Sequence, residues 1–174
     1  MGAKRRNGLR NRIIFLLSVR AGLRAKEIAA LRWSMVLDAS GCIGDAIHLT
    51  NQASKGNSGR VIPLNRQLRS ELAVFYQSQV SDGRLYVITT ERSDCTSPQA
   101  IVNLFARWYH ELGLVGCSSH SGRRTFITNA AKRISTVGGS MRDVQALAGH
   151  SSLQTTQSYV DGDSEARKRV VNLC

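Results

Sequence analysis

The sequence has few acidic residues, few lysines and only two prolines, and it contains no long hydrophobic run. Twelve Asp and Glu stand against 24 Lys and Arg, which gives a formal net charge of +12. The apolar run at residues 13–17 is far too short to span a bilayer, which argues against a membrane-spanning helix. The hydrophobic content of 42% is enough to build a core, so a disordered basic tail is excluded.

Paired cysteines are also missing. The four cysteines are widely spaced and form no C-x-x-C pair. Neither a disulfide framework nor a zinc site is therefore expected, and a reducing compartment fits the chain best. The basic N-terminus lacks an apolar segment with a small-residue cleavage site, and Arg6 stands where a myristoylation motif needs Ser or Thr. These absences predict a cytoplasmic domain.

What the sequence has in quantity is arginine. Nineteen of the 24 basic residues are Arg, and eight basic residues precede the first acid, Glu27, so residues 1–27 carry a net charge of +7. The planar guanidinium binds phosphate oxygens in pairs, which lysine cannot do. A folded domain this basic most often binds nucleic acid, with an anionic membrane surface as the second candidate. The arginines predicted to contact DNA are Arg5, Arg6, Arg10, Arg12 and Arg124.

Apolar periodicity predicts a mainly helical α+β domain. Helical spacing of apolar residues predicts a helix over residues 8–21, which Gly22 ends, and a second helix over 25–31. Short strand-like runs between glycines predict a three-stranded antiparallel sheet from residues 35–37, 46–49 and 60–62, with a flexible hairpin tip at 54–59. Further helices are predicted over residues 64–80 and 98–112, and from 118 to the end with breaks at 138–139 and 149.

Two candidate sites lie in the first half of the chain, and each also has a simpler interpretation. Arg24 follows a glycine turn and opens a helix, with Glu27 one turn on and on the same face; a solvated ion pair would look the same. Lys55 lies at the Gly- and Ser-rich hairpin tip, where a lysine usually serves solubility. The glycines around Lys55 form no phosphate-binding P-loop, because no Gly-Lys-Ser/Thr is present.

The remaining candidates lie in the second half. Serines at 118, 119 and 121 can cap a helix, so His120 and Arg123 would lie near a helix N-terminus, a place suited to anions; a capped basic helix is the alternative. His150 lies in a turn between two predicted helices, and Tyr159 comes near the end of the second. Residues 141–160 also fit a helix-turn-helix, which would bind DNA without catalysis. A tyrosine in that place could simply pack.

Taken together, these residues resemble the catalytic domain of the tyrosine recombinase (phage integrase) family. Residues 22–28 (GLRAKEI) resemble its first-arginine box, and His120-x-x-Arg123 with residues 147–159 (LAGHSSLQTTQSY) resemble its second box. The likeness runs from about Arg10 to Asp161. Two positions depart from the family pattern: Gly122 stands where a hydrophobic residue is usual, and Arg124 where a second His is frequent. The catalytic set that the resemblance implies is Arg24, Lys55, His120, Arg123, His150 and Tyr159.

The resemblance implies a site-specific recombinase that cleaves and rejoins DNA strands without metal, ATP or another cofactor. Tyr159 would be the nucleophile that forms a 3′-phosphotyrosyl link, while Arg24 and Arg123 hold the non-bridging oxygens. Lys55 would protonate the leaving 5′-oxygen. His120 and His150 would bind the phosphate or move a proton, and Glu27 would orient neighbouring cations. The chain offers no carboxylate cluster typical of a two-metal nuclease.

The resemblance also sets expectations for domains and partners. We expect one catalytic domain over residues 1–174, with a basic leader at about 1–8 and an amphipathic C-terminal helix at about 163–174. Family members carry a helical core-binding domain ahead of the catalytic one, and this chain leaves no room for it. The partners expected are double-stranded DNA and further copies in a synaptic tetramer, with residues 163–173 docking on a neighbour or packing on their own domain. Neither a membrane nor a small-molecule substrate is expected.

Two alternative functions remain open. One is a non-catalytic DNA-binding module that uses residues 141–160 as a helix-turn-helix. The other is a type IB topoisomerase-like strand transferase, whose chemistry and residue set overlap with the recombinase set. The segment from His150 to Thr156 favours the recombinase.

Overall fold

The structure, a computed structural model, describes residues 2–54, 59–79, 83–90, 93–159 and 171–172, with side chains from Asn7 onward. The chain divides into two compact units, residues 1–126 and 127–174. In the described residues the fold is mainly helical with one small antiparallel sheet, which confirms the predicted mainly helical α+β class. None of the described helices has the length and apolar character needed to cross a membrane.

The first unit starts with a long helix that ends in a glycine turn. Helix α1 spans Gly2–Ala21, so it begins six residues before the predicted start and includes most of the predicted basic leader. Gly22 has φ +65°, the left-handed conformation that glycine adopts without steric cost, and it ends α1 as predicted. The N–H of Leu23 then donates to the carbonyl of Leu17 at 3.1 Å. Helix α2 follows at once, over Ala25–Ala30.

The sheet has two strands in the described residues, and the predicted third strand is wrong. Strand β1 (Ala46–Leu49) pairs antiparallel with β2 (Arg60–Pro63), with Ala46 opposite Pro63 and Leu49 opposite Arg60. Residues 33–35 instead form a 3-10 turn, and Leu37 pairs only as a single bridge with Ile43. The N–H groups of Met35, Val36 and Leu37 donate to the carbonyls of residues 32–33, so they are not available to a sheet ladder.

Two further helices complete the core of the first unit. Helix α3 (Arg66–Gln77) is capped by Asn65, and α4 (Pro98–Glu111) is capped by Ser97, whose hydroxyl accepts from the N–H of Ala100 at 3.1 Å. Pro98 occupies the first turn of α4, as predicted. Helix α1 packs against α3 and α2 against α4. The largest fully buried side chains of this core are Phe75, Phe105, Ile13, Ile14, Leu17, Leu23, Ile28 and Leu31.

Short helices build the second unit. Helix α5 (Ser121–Arg133) begins in the first unit and enters the second at Ile127, where it runs into a 3-10 turn at Ile134–Val137. Helix α6 (Met141–Ala148) begins at a capping box formed by Ser140 and Asp143. Helix α6 ends at Gly149, which has φ +63°, and α7 (Leu153–Gln157) starts behind Ser152 and packs on α6. The predicted breaks at 138–139 and 149 are confirmed. The predicted C-terminal helix lies almost wholly outside the described residues.

Candidate active site

The described site residues fall into two groups. Arg24, Glu27, His120 and Arg123 belong to the first unit, and His150 and Tyr159 belong to the second. Lys55 lies outside the described residues. Each group has its own network of hydrogen bonds.

Glu27 is the buried centre of the first group. Its side chain is 0% exposed, and its Oε1 accepts from Nη1 of Arg24 and from Nη1 of Arg60, each at 2.9 Å. Its Oε2 accepts from the backbone N–H of Arg24 at 2.8 Å and from Nη2 of Arg60 at 3.1 Å. The Arg24–Glu27 pair is therefore not a solvated surface pair. It is part of a three-residue unit centred on the buried Glu27, and the unit includes an arginine missing from the predicted set.

Arg60 reaches Glu27 from the start of strand β2. Alternate residues of a strand share a face, so Arg60 lies on the same side as the buried Ile62. Just before it, the N–H of Gly59 donates to Oδ1 of Asn51 at 2.8 Å, which closes the base of the hairpin. The sequence does contain a signal for Arg60, because an arginine on the inward face of a strand needs a buried anion as its partner.

The charges in this unit are unequal. Burial raises the pKa of Glu27, but the hydrogen bonds and charge of Arg60, followed by those of Arg24, outweigh burial and bring the pKa below its ordinary value of 4.5. Glu27 is therefore ionised at neutral pH, and one carboxylate faces two guanidiniums, for a sum of +1. The Arg24 side chain is 22% exposed and that of Arg60 only 6%. The side of the unit open to a ligand is thus the Arg24 side.

Arg123 is fixed at the turn that precedes Arg24. It is almost fully buried, and its Nη1 donates to the carbonyl of Gly22 at 2.6 Å. The start of α5 approaches α1 closely, since a Cβ on Gly122 would lie 2.4 Å from Oγ of Ser18. That contact explains a glycine where the family pattern has a larger residue. It also allows Arg123, 99 positions after Arg24 in the sequence, to reach the same turn.

His120 lies directly before the first turn of α5. Its side chain is exposed, its N–H donates to Oγ of Ser118 at 3.3 Å, and its carbonyl accepts from the N–H of Arg124 at 2.9 Å. The N–H of Ser118 in turn donates to Oγ of Ser121 at 2.9 Å. The serines thus hold the turn that presents His120, as the sequence predicts for a capped helix start.

His150 and Tyr159 are neighbours in the second unit. Their rings stack with centroids 5.5 Å apart and planes 24° from parallel. Nδ1 of His150 and Oγ1 of the fully buried Thr156 are 3.0 Å apart, within hydrogen-bonding distance. The carbonyl of Thr156 accepts from the N–H of Tyr159 at 3.2 Å. Thr156 therefore connects to both residues, a role that the sequence does not distinguish from that of Thr155.

The predicted DNA-contacting arginines have varied surroundings. Arg12 pairs with Glu71, and Nη1 of Arg10 donates to the carbonyl of Thr89 at 3.3 Å. Arg124 is exposed on the first turn of α5. The side chains of Arg5 and Arg6 lie outside the described residues. Arg10 and Arg12 therefore also have structural partners within the first unit.

Among the residues that the structure describes, no group of three or more His, Cys, Asp or Glu side chains is placed to hold a metal ion. The arrangement in the first unit is instead suited to an anion. It offers arginine side chains held by a buried carboxylate and a backbone carbonyl, next to a helix start. The second unit offers a phenol ring stacked on an imidazole ring.

Comparisons with known proteins indicate a family for this chain. The sequence matches the phage integrase family over residues 1–166. It is 30% identical over 156 residues to tyrosine recombinase XerA of Pyrococcus horikoshii, covering 88% of this chain and 50% of that protein. The chain spans about half the length of the curated relatives it matches.

Solved structures have the same fold. The crystal structure of XerA recombinase superposes with a TM-score of 0.74 at 20% identity, covering 99% of this chain and 60% of that one. The XerH site-specific recombinase bound to palindromic difH substrate, in a post-cleavage complex, gives a TM-score of 0.73 at 20% identity, with coverage of 94% and 45%.

Proposed function

Because this chain belongs to the phage integrase family, whose relatives are tyrosine recombinases, we propose that it is the catalytic part of a site-specific DNA recombinase. Its substrate is double-stranded DNA, and its reaction cleaves and rejoins strands. We expect it to act in the cytoplasm, on or near DNA, as the product of a bacterial or phage gene. The XerH structure, described as a complex with its difH substrate, supports the class of ligand.

The proposed reaction is a transesterification at one phosphodiester. The phenolic oxygen of Tyr159 forms a bond to phosphorus, and the bond from phosphorus to the 5′-oxygen breaks. The leaving 5′-oxygen takes a proton from Lys55, and the strand remains attached through a 3′-phosphotyrosyl link. A second 5′-hydroxyl reverses these steps on a new partner strand. Because the ester energy is kept in the link, no ATP is needed.

The charge that develops on the phosphate decides which residues stabilise the transition state. Arg24 and Arg123 donate to the non-bridging oxygens, where fixed cationic donors lower the barrier most. His120 adds a donor at the start of α5, and His150, next to Tyr159, helps the phenol lose its proton. The single observation that carries this proposal is the 2.6 Å bond from Arg123 to Gly22, two residues before Arg24.

A DNA-binding module without catalysis would not need this arrangement. It would use α6 and α7, and the buried Glu27 with its two arginines would then serve only to stabilise the fold. A topoisomerase-like strand transferase would use the same chemistry, but the relatives that this chain matches are named tyrosine recombinases. The experiment below separates binding from chemistry.

The test is covalent trapping. A pool of short nicked duplexes with randomised sequence is incubated with the protein in EDTA and without ATP, and adducts that survive SDS are counted. The wild type and a Tyr109→Phe control, which removes a hydroxyl from α4, are expected to form adducts. Tyr159→Phe is expected to form none. An adduct with Tyr159→Phe would show that Tyr159 is not the nucleophile, and binding without any adduct would favour the non-catalytic module.

We further propose that the protein works as a synaptic tetramer on DNA, joined through residues 163–173. The support is the sequence pattern, which places Ala166, Val170 and Leu173 on one face of a helix. Sedimentation of the DNA complex with and without these residues tests it. Equal association in both cases would contradict docking.

A further inference from the structure

The guanidinium of Arg60 contacts both carboxylate oxygens of Glu27, whereas that of Arg24 is described on one of them. Both guanidinium nitrogens Nη1 and Nη2 of Arg60 donate to the carboxylate, one to each oxygen, at 2.9 and 3.1 Å. The side chain of Arg24 is described with one such bond, to Oε1 at 2.9 Å. The fork of Arg60 matches the carboxylate geometry, and this kind of pair is the strongest that arginine forms.

The charge of Glu27 would be a handicap without Arg60. A carboxylate holding Arg24 alone would make a neutral pair, and a neutral pair attracts a phosphate far less than a cation does. The site needs Glu27 to fix the Arg24 guanidinium and the start of α2, since Glu27 accepts hydrogen bonds from both the side chain and the backbone N–H of Arg24. The site also needs the positive charge of Arg24 to remain effective.

We propose that Arg60 is a positioning residue for strand cleavage, which neutralises Glu27 so that Glu27 can hold Arg24 without cancelling its charge. The proposal rests on the proposed function and names a device within that site. The exposure of the two arginines agrees with this role. The side chain of Arg60, which would neutralise Glu27, is 6% exposed, and that of Arg24, which would contact the phosphate, is 22% exposed. Because the side chains of Arg60 and Glu27 are both buried, water screens the attraction between their charges only weakly.

The competing explanation is that Arg60 only stabilises the fold. The two explanations differ in what happens when both charges are removed. Arg60→Met leaves Glu27 with Arg24 alone and brings the sum of charges to zero. Glu27→Gln in the same chain returns the sum to +1, because Arg24 then stands beside a neutral amide. A purely structural role for Arg60 predicts that the double variant is no more active than the single one.

The experiment measures the rate of adduct formation on the nicked duplex pool, with the folded fraction of each variant checked by circular dichroism. Arg60→Met is expected to be about 100-fold slower, the size of effect seen when one transition-state donor is lost. Arg60→Lys and Glu27→Gln/Arg60→Met are expected within about tenfold of wild type, because the charge on Arg24 is kept in both. Arg69→Met, which breaks a surface pair with Asp45, is the control expected to leave the rate unchanged.

Each outcome decides the matter. A double variant as slow as Arg60→Met, with both folded, overturns the proposal, and so does an Arg60→Met variant as fast as wild type. If Arg60→Met does not fold, a folded double variant that is about 100-fold slower than wild type also overturns it. If wild type forms no adduct, the proposed function fails, but the salt dependence of DNA affinity still tests Arg60. The slope of log affinity against log salt concentration should then be shallower by about 0.9 in Arg60→Met, which corresponds to one phosphate contact. The double variant should have the wild-type slope.

Discussion

Replacing Gly22 by alanine tests the turn on which both arginines depend. Gly22 has φ +65°, and a Cβ built on it would lie 2.4 Å from Cδ1 and 3.0 Å from Cε1 of Phe126. Two separate costs follow. The left-handed backbone costs an alanine about 1–2 kcal/mol. Forcing a methyl group against the ring adds about 1–3 kcal/mol. The variant should therefore lose about 2–5 kcal/mol of unfolding free energy.

Gly113→Ala is the matched control for this change. Gly113 belongs to the same unit and has nearly the same backbone angle, φ +67°, but a Cβ on it would meet no atom within 4 Å. It should lose only the backbone part, about 1–2 kcal/mol. The difference between the two variants isolates the contact between Gly22 and Phe126.

Urea unfolding followed by circular dichroism measures both variants in parallel. Gly22→Ala is expected to be less stable than Gly113→Ala by about 1–3 kcal/mol. Its adduct formation should also fall, because the carbonyl of Gly22 accepts the hydrogen bond of Arg123 and must shift with the backbone. Equal losses of stability in the two variants would refute the close packing of Phe126 on Gly22.

Two further outcomes follow from the same contacts. Thr156→Val keeps the shape of Thr156 but removes the hydroxyl near Nδ1 of His150, so it should slow adduct formation by about 10- to 100-fold. The control Thr155→Val, at an exposed position, should leave the rate unchanged. Equal rates for the two variants would mean that this contact does not position His150. The folded pKa of Glu27 lies below 4.5, so its stabilising contribution is present above that pH and is lost as pH falls through the folded pKa. Between about pH 6 and about pH 3, wild type should therefore lose unfolding free energy relative to Glu27→Gln, and parallel curves would contradict the shift.

Elements held by local interactions could be predicted from the sequence. Helix α1 and its end at Gly22 follow from apolar spacing and from the freedom of glycine, and α4 follows from Ser97 and Pro98 at its start. Strands β1 and β2 lie at the predicted positions within one residue. For the helices the deciding contacts are only a few positions apart, and the two strands pair across one hairpin with partners 11 to 17 positions apart. A single sequence therefore contains most of the information.

The errors and omissions have a different physical origin. The segment at 35–37 has the composition of a strand, but its N–H groups are used by the preceding turn, and Asp38 starts a new turn by accepting from the N–H groups of Ser40 and Cys42. Apolar spacing does not identify Arg60, because its partner Glu27 is 33 positions away and belongs to a helix. Which basic residue meets a buried acid depends on tertiary packing, which spacing along the chain does not reveal.

The bond between Arg123 and Gly22 also has a consequence for folding. It joins positions 101 residues apart, so only the tertiary fold brings the two groups together. Under the proposed function, a DNA phosphate contacts both Arg24 and Arg123, so it would bind the folded first unit and not the unfolded chain. At a DNA concentration 100 times the dissociation constant, this linkage adds about 2.7 kcal/mol to stability. We therefore expect the proposed substrate to stabilise the whole first unit, and its binding can be followed by resistance to heat or protease.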